Sequence, residues 1–181
     1  MPKFSKTNQT LLSEKVKQFL NGVKFFHEKN ILHLGINRES VTVLEKSNGF
    51  CVKICGFRSS IDMDFAQART EITNGVVSNF KLSSKCLEYS APELVKMNSP
   101  CKASDVWSCG VLLYEMISGI VPFLGSTRVE LISRICKSKV CFKRERFVKT
   151  SINTETLIRE MLVKNVEIRI GSDEVYGRIN N

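Results

Sequence analysis

Three groups of side chains in this sequence are of types, and at spacings, that chemistry can use. In Ile31-Leu32-His33-Leu34-Gly35-Ile36-Asn37-Arg38-Glu39-Ser40 one of only two histidines stands close to an amide, a guanidinium, a carboxylate and a hydroxyl. Asp62 and Asp64 downstream, with Glu39, supply carboxylates, the donors that hard divalent cations take. From Arg128 to Lys149 eight Lys or Arg residues stand against Glu130 and Glu145, an excess able to meet phosphates or an anionic membrane surface. Each group has a plainer reading. A metal site needs oxygens that converge, and loop carboxylates are ordinarily solvated. The basic run reads as a solvated face, and no aromatic interleaving of the kind that stacks bases is evident, so nucleic acid is not an expected partner.

Composition narrows the classes further. The chain of 181 residues is one domain's worth, with 43% hydrophobic and 25% charged residues, near the globular averages, so a soluble body with a real core is expected. No window approaches a membrane span, and Met1 to Thr10 has no apolar core of signal-peptide length. Seven cysteines form no C-x-x-C pair and have few histidines to join them in a metal site, which points to reduced thiols in a cytoplasmic or nuclear setting.

The elements that would position these residues are legible from periodicity. Leu12, Val16, Phe19, Leu20, Val23 and Phe26 or His27 predict a helix over Leu11 to about Lys29 with one buried stripe. The helical period breaks at Ile31. Val41 to Leu44 and Phe50 to Cys55 flank the turn signal Lys46-Ser47-Asn48-Gly49 and predict a hairpin. From Val106 to Ile117 the apolar residues leave no wide polar face, so a helix there is buried on nearly every side; Gly119 and Pro122 end it. Thr127 and Glu130 have capping-box spacing before a short helix with Val129, Ile132 and Ile135 inward. Leu157, Ile158, Met161 and Leu162 predict another helix.

The central run, Asp105-x-Trp107-Ser108-x-Gly110 followed by apolar residues and Gly119-x-x-Pro122-Phe123, closely resembles the central helix of the C-terminal lobe of eukaryotic protein kinases. Ala91-Pro92-Glu93 matches the A-P-E signature of the same family, and Asn165-Val166-Glu167-Ile168-Arg169 is similar to its N-P-x-x-R segment. The resemblance covers about residues 11 to 175 and is closer to Ser/Thr than to Tyr kinases, although the Gly-Thr that commonly precedes A-P-E is Lys85-Cys86. It implies a mainly α, protein-kinase-like C-terminal lobe with a small β-hairpin, the N-terminal lobe missing. A whole kinase domain is about half as long again as this chain. The implied organisation is a polar tail at 1–10, the lobe at 11–175 and a truncated C-terminus at 176–181. Within the lobe fall a catalytic-loop remnant at 33–40, a metal-loop remnant at 56–58, an activation segment at 59–93 and a central helix at 105–118.

The resemblance also says which side chains the chemistry would need. In H-R-D-L-x-x-x-N the Asp accepts the substrate hydroxyl's proton and the Asn holds a metal ion; in D-F-G the Asp bridges metal and phosphates. Aligned on His33, those positions are Gly35 and Ser40, the lysine common two residues past the Asp is Asn37, and the D-F-G tripeptide is Gly56-Phe57-Arg58. Glycine has no acceptor, serine is a poor ligand for magnesium, and Arg58 is a candidate internal cation in the vacated space. No G-x-G-x-x-G occurs. The implied structural residues are retained: His33 and Phe57 as core packing, Trp107 in the central helix, Asp105 tying down the catalytic-loop backbone, and Glu93 with Arg169 as a buried ion pair.

The resulting expectation is an inactive kinase-like interaction module with no catalytic residue, metal or cofactor. Its expected partner is a protein: a kinase, a kinase substrate or a second copy. The alternative is a fragment of a Ser/Thr kinase, or one completed by a partner, for which ATP and magnesium would be needed.

Overall fold

A computed structural model describes residues 9–64, 72–73, 76–77, 84–148 and 150–180. Residues 1–8 of the expected tail, and 65–71, 74–75 and 78–83 of the expected activation segment, lie outside the described residues.

Helix α1 (Gln9–Glu28) buries Phe19, Leu20, Val23, Phe26 and His27, the stripe its periodicity predicts. β1 (Ile31–Leu32) follows, then the irregular loop at 33–40. β2 (Val41–Lys46) and β3 (Gly49–Ile54) form an antiparallel hairpin paired from Val41↔Ile54 to Lys46↔Gly49, with Ser47 and Asn48 as its turn. A single 3-10 turn, Phe57–Ser59, leads to β4 (Ile61–Asp62), which pairs antiparallel with β1. β5 (Ile72–Thr73) and β6 (Val76–Val77) make a third small ribbon. A 3-10 stretch, Ser84–Tyr89, and the short α2 (Pro92–Val95) then bring the chain to the central helix.

That helix, α3 (Lys102–Ser118), buries all eleven residues from Ser104 to Tyr114 as well as Ser118. Apolar residues all round its first three turns leave it no solvent face, and burying each large aliphatic side chain contributes about 1.5–3 kcal/mol. Around it pack α1, the 3-10 stretch, α5 (Arg144–Phe147), α6 (Ile152–Met161) and α7 (Ser172–Asn180). The approach to α6 is close: a Cβ on Gly110 would lie 2.8 Å from the Met161 Cβ.

Several boundaries differ from expectation. The central helix starts at Lys102 rather than Asp105, because the Ser104 hydroxyl accepts the Cys101 N–H and closes an extra turn. The division at 175/176 falls inside α7, whose Val175 is buried and which packs along α1. The tail also gives way to helix at Gln9. In α4 (Arg128–Lys137) the Thr127 hydroxyl caps Glu130 N at 3.1 Å, but the buried pair is Leu131 and Ile135. Val129 is 78% exposed, since it sits two positions before Leu131 and turns to the opposite side.

Candidate functional site

Asp105 stands in the first turn of α3, wholly buried, with its carboxylate aimed at the chain that follows β1. Its Oδ2 accepts the His33 N–H at 2.7 Å, its Oδ1 accepts the Leu34 N–H at 2.8 Å, and His27 Nε2 lies 3.1 Å from Oδ2. These bonds hold Leu34 in the left-handed region at φ 56°, which a branched side chain adopts only when its surroundings impose it. The loop at 33–40 is therefore pinned to the core helix at its start.

His33 fixes the next step. Its buried ring accepts the Gly35 N–H at Nδ1, 3.2 Å away, and donates from Nε2 to the Cys55 carbonyl at 3.1 Å, tying the loop to the end of β3. This arrangement needs a neutral ring. Burial lowers the His33 pKa below its ordinary value, against Asp105 and the Cys55 carbonyl, which pull it up. The ring packs 4.6 Å from that of Phe57, which meets Phe26 edge-on at 5.4 Å. Phe57 is nevertheless 45% exposed rather than a core residue, because it covers His33 and Phe26 from one side and turns its other side outward.

Asn37 and Ser40 close the loop on itself. Asn37 Oδ1 accepts the N–H groups of Glu39 and Ser40, and its Nδ2 donates to the Gly35 carbonyl at 3.0 Å and to Cys86 Sγ at 3.1 Å. The Ser40 hydroxyl accepts Asn37 N–H and donates to Asn37 O, both at 2.9 Å. Both side chains thus satisfy local backbone, as asparagine and serine do in tight turns.

Gly35 and Gly56 face one another across this loop. A Cβ on Gly35 would lie 3.7 Å from the Gly56 carbonyl oxygen and 3.6 Å from the His33 ring, ordinary van der Waals contacts for that atom. Gly56 has φ 87° and ψ 35°, a conformation open to glycine and disfavoured for most other residues. Arg58 is exposed on the 3-10 turn, so it is not an internal cation.

The donor set does not fit a magnesium ion. Gly35 and Gly56 bring no side-chain oxygen, and Ser40 Oγ already serves as both donor and acceptor. Among the described residues no group of three or more His, Cys, Asp or Glu side chains stands where it could hold a metal. Asp64 accepts Asn30 Nδ2 at 3.0 Å, Asp62 lies in β4 opposite Ile31, and Glu39 is exposed on the loop. The three candidate carboxylates do not gather between the glycines.

A second cluster anchors the segment that follows Tyr89. Arg169 Nη1 and Nη2 donate to Glu93 Oε1 and Oε2 at 2.7 and 2.9 Å, a buried two-pronged ion pair. The three remaining guanidinium N–H groups reach the Ala103, Val163 and Lys164 carbonyls, the last at 3.5 Å, so every donor has a partner. Burial alone would raise the Glu93 pKa, but the Arg169 hydrogen bonds and charge outweigh it and the net direction is down. Trp107 stacks on Phe123 with ring centroids 5.7 Å apart, and Lys164 lies over both rings. Desolvation lowers the Lys164 pKa to about 8.

Sequence reasoning missed the residues that complete these clusters. Ser104 Oγ donates to Glu93 Oε1 at 2.9 Å, and Ser108 Oγ donates to the Tyr89 carbonyl at 2.8 Å. The signal was present: two serines at i, i+4 within an apolar run share one helix face. Tyr89 donates to Glu115 Oε2 at 2.5 Å, and Arg38 reaches Glu115 Oε1 at 3.3 Å, linking the loop, the 3-10 stretch and α3. Nothing in the spacing of those three residues marks them as neighbours.

A core helix that pins an irregular loop by a carboxylate, and an Arg-anchored A-P-E turn, define the class as a protein-kinase-like fold. The chain belongs to the protein kinase family, on the side of its serine/threonine members: the family model described as protein kinase domain matches residues 3–178. Death-associated protein kinase 2 of Mus musculus and of Homo sapiens are each 34% identical over 159 residues, which is 88% of this chain and 40% of theirs. Serine/threonine-protein kinase 17A of Oryctolagus cuniculus is 29% identical over 167 residues, 92% of this chain and 39% of its own. Among solved structures, the autoinhibited serine kinase domain of the giant muscle protein titin superposes with a TM-score of 0.81 at 27% identity. That match covers 96% of this chain and 51% of the titin chain in that structure. The chain therefore spans about two fifths of the length of the curated relatives it matches.

Proposed function

We propose that this chain is a pseudokinase-like lobe that works by binding another protein and does not transfer phosphate. The observation that carries the reading is the self-closed loop: Asn37 and Ser40 use their polar atoms on the loop's own backbone, Asn37 also on the Cys86 thiol, while Gly35 and Gly56 bring no side-chain oxygen to the space between them. Phosphoryl transfer needs metal ions to neutralise developing charge and an acceptor for the substrate hydroxyl's proton. Losing a general base alone costs about 10²–10⁴ in rate, and here the base position and both metal positions lack their side chains together.

On this proposal the chain contributes the helical lobe only, without catalytic residues and without ATP or magnesium. A second lobe supplied from elsewhere would restore no carboxylate at Gly35 or Gly56. The partner is a protein, whether a kinase, a kinase substrate or a second copy, met in part through apolar surface such as the open side of Phe57. Seven free thiols are compatible with the proposed cytoplasmic or nuclear setting.

Thermal melting with ATP alone, magnesium alone and both together tests the reading. The melting temperature stays level in all three; a saturable rise that requires the metal would overturn the proposal.

A further inference from the structure

Between α4 and α5 the chain runs 138–143 without helix or strand pairing, and the exposure of its side chains alternates. Lys137, Lys139, Cys141 and Lys143 point outward, whereas Ser138, Val140 and Phe142 are partly buried. A period of two is the signature of an extended backbone, and both ends have extended angles: Ser138 at φ −77°, ψ 142° and Lys143 at φ −68°, ψ 123°.

This strap is held firmly. Phe142 packs against Tyr114 and Phe147 with centroids 5.4 and 4.8 Å apart, and the Arg159 guanidinium lies 4.1 Å over the Phe142 ring. The Tyr114 hydroxyl donates to the Cys141 carbonyl at 2.6 Å. Phe142 and the Cys141 carbonyl are thus fixed to the core, while Lys139 and Lys143 turn their cations outward. Among the described residues, the backbone groups of Lys139, Val140 and Phe142 have no hydrogen-bond partner. The strap is a rigid, open, positively charged edge.

We propose that this edge docks an acidic peptide in extended conformation, laid beside the strap with carboxylates at alternate positions. Alternate residues of an extended chain are about 7 Å apart, so glutamates or aspartates at i and i+4 would stand opposite Lys139 and Lys143, with Lys137 at the end of α4 and Arg144 at the start of α5 flanking the pair. Main-chain hydrogen bonds to the open edge supply affinity and the charge row supplies register. A strap already fixed in the extended form loses little freedom on binding. The geometry favours a peptide over nucleic acid because the strap's one aromatic ring is enclosed by Tyr114, Phe147 and Arg159 and cannot stack a base. It favours a peptide over a membrane because the outward residues of the strap are Lys139, Cys141 and Lys143, with no large apolar side chain among them to enter a bilayer.

The strap sits at the C-terminal end of α3, where Arg146 donates to the Ser118 carbonyl; Ser118 lies thirteen residues beyond Asp105, about 20 Å along the helix axis. The loop at 33–40 reaches toward that end through Arg38 on Glu115. The proposal uses none of Gly35, Asn37, Ser40 and Gly56, so it stands whether or not the chain transfers phosphate.

The probe is a fluorescent peptide with glutamates at alternate positions, titrated against the full chain by anisotropy. A control peptide of the same composition carries its glutamates in one block, and anionic vesicles and a single-stranded oligonucleotide serve as competitors. The alternating peptide binds at least fivefold tighter than the blocked one. Binding weakens at least tenfold in K137E/K139E/K143E and severalfold in the milder K137Q/K139Q/K143Q, both of which melt as the native chain does because these side chains are exposed. Equal binding of the two peptides, or unchanged binding by the reversal variant, overturns the proposal. So does displacement of the peptide by vesicles or oligonucleotide at lower concentration than by unlabelled peptide.

Discussion

Removing the Asp105 carboxylate strands the N–H groups of His33 and Leu34 in the core, together with the His27 ring. A buried donor left without a partner costs about 1–3 kcal/mol, so for the two N–H groups alone Asp105→Ala should lose about 2–6 kcal/mol in urea unfolding. Asp105→Asn keeps one acceptor oxygen and should fall between. At the ion pair, Glu93→Gln leaves the Arg169 charge uncompensated, which should cost about 3–5 kcal/mol. The paired replacement Glu93→Leu with Arg169→Met should cost less than the single change, a sign that the damage is the stranded charge and not the lost contact. These residues could be named from sequence because the family resemblance assigns them positions. The closure of the loop by Asn37 and Ser40 could not, since nothing in the residue types says whether an amide faces a metal or its own backbone. The exposure of Arg58 and the open side of Phe57, whose ring does pack on His33 and Phe26, are illegible for a similar reason: which way a short 3-10 turn points its side chains is a tertiary property.

Helix by helix, the pattern of apolar spacing was enough wherever one face was clearly apolar. The stripe on α1 and the all-round burial of α3 follow directly from periodicity, and Leu157, Ile158 and Met161 mark α6 in the same way. The short α4 was misread because ten residues carry two overlapping stripes, and only packing against α2 decides for Leu131 and Ile135. The α3–α6 crossing depends on a residue without a side chain. Gly110→Ala would push a methyl group to 2.8 Å from the Met161 Cβ. Overpacking of this kind costs about 1–3 kcal/mol, and the variant should melt lower with its helical circular dichroism intact. A melting temperature equal to that of the native chain would mean that α3 and α6 are less tightly apposed than they stand here.

For the molecule as a whole, the buried titratable groups predict an acid-sensitive fold. The His33 pKa is lowered on folding, so below its ordinary value of 6.5 the unfolded chain takes up a proton that the folded chain refuses, and stability falls. Glu93 is also lowered, so its stabilisation is present above the ordinary value of 4.5 and is lost as pH falls through the folded pKa. Unfolding midpoints should be level for these two groups above about pH 7, sag below 6.5 and drop again below 4.5. A midpoint that rises on acidification from neutral pH would contradict both assignments.

The mechanical frame of a kinase lobe is present in this chain, and the proposed function rests on Gly35, Ser40 and Gly56 supplying no carboxylate to grip a metal. Titration of manganese in the presence of ATP, with free ion counted by electron paramagnetic resonance, tests that point directly. Gly35→Asp is the positive comparison, because the Cβ has room at that position, and Gly56→Asp adds a second carboxylate at some strain from its left-handed φ. The native chain should leave the free-manganese signal as ATP alone leaves it, and the double variant should deplete it further. Saturable binding of one manganese ion per native chain would contradict the account.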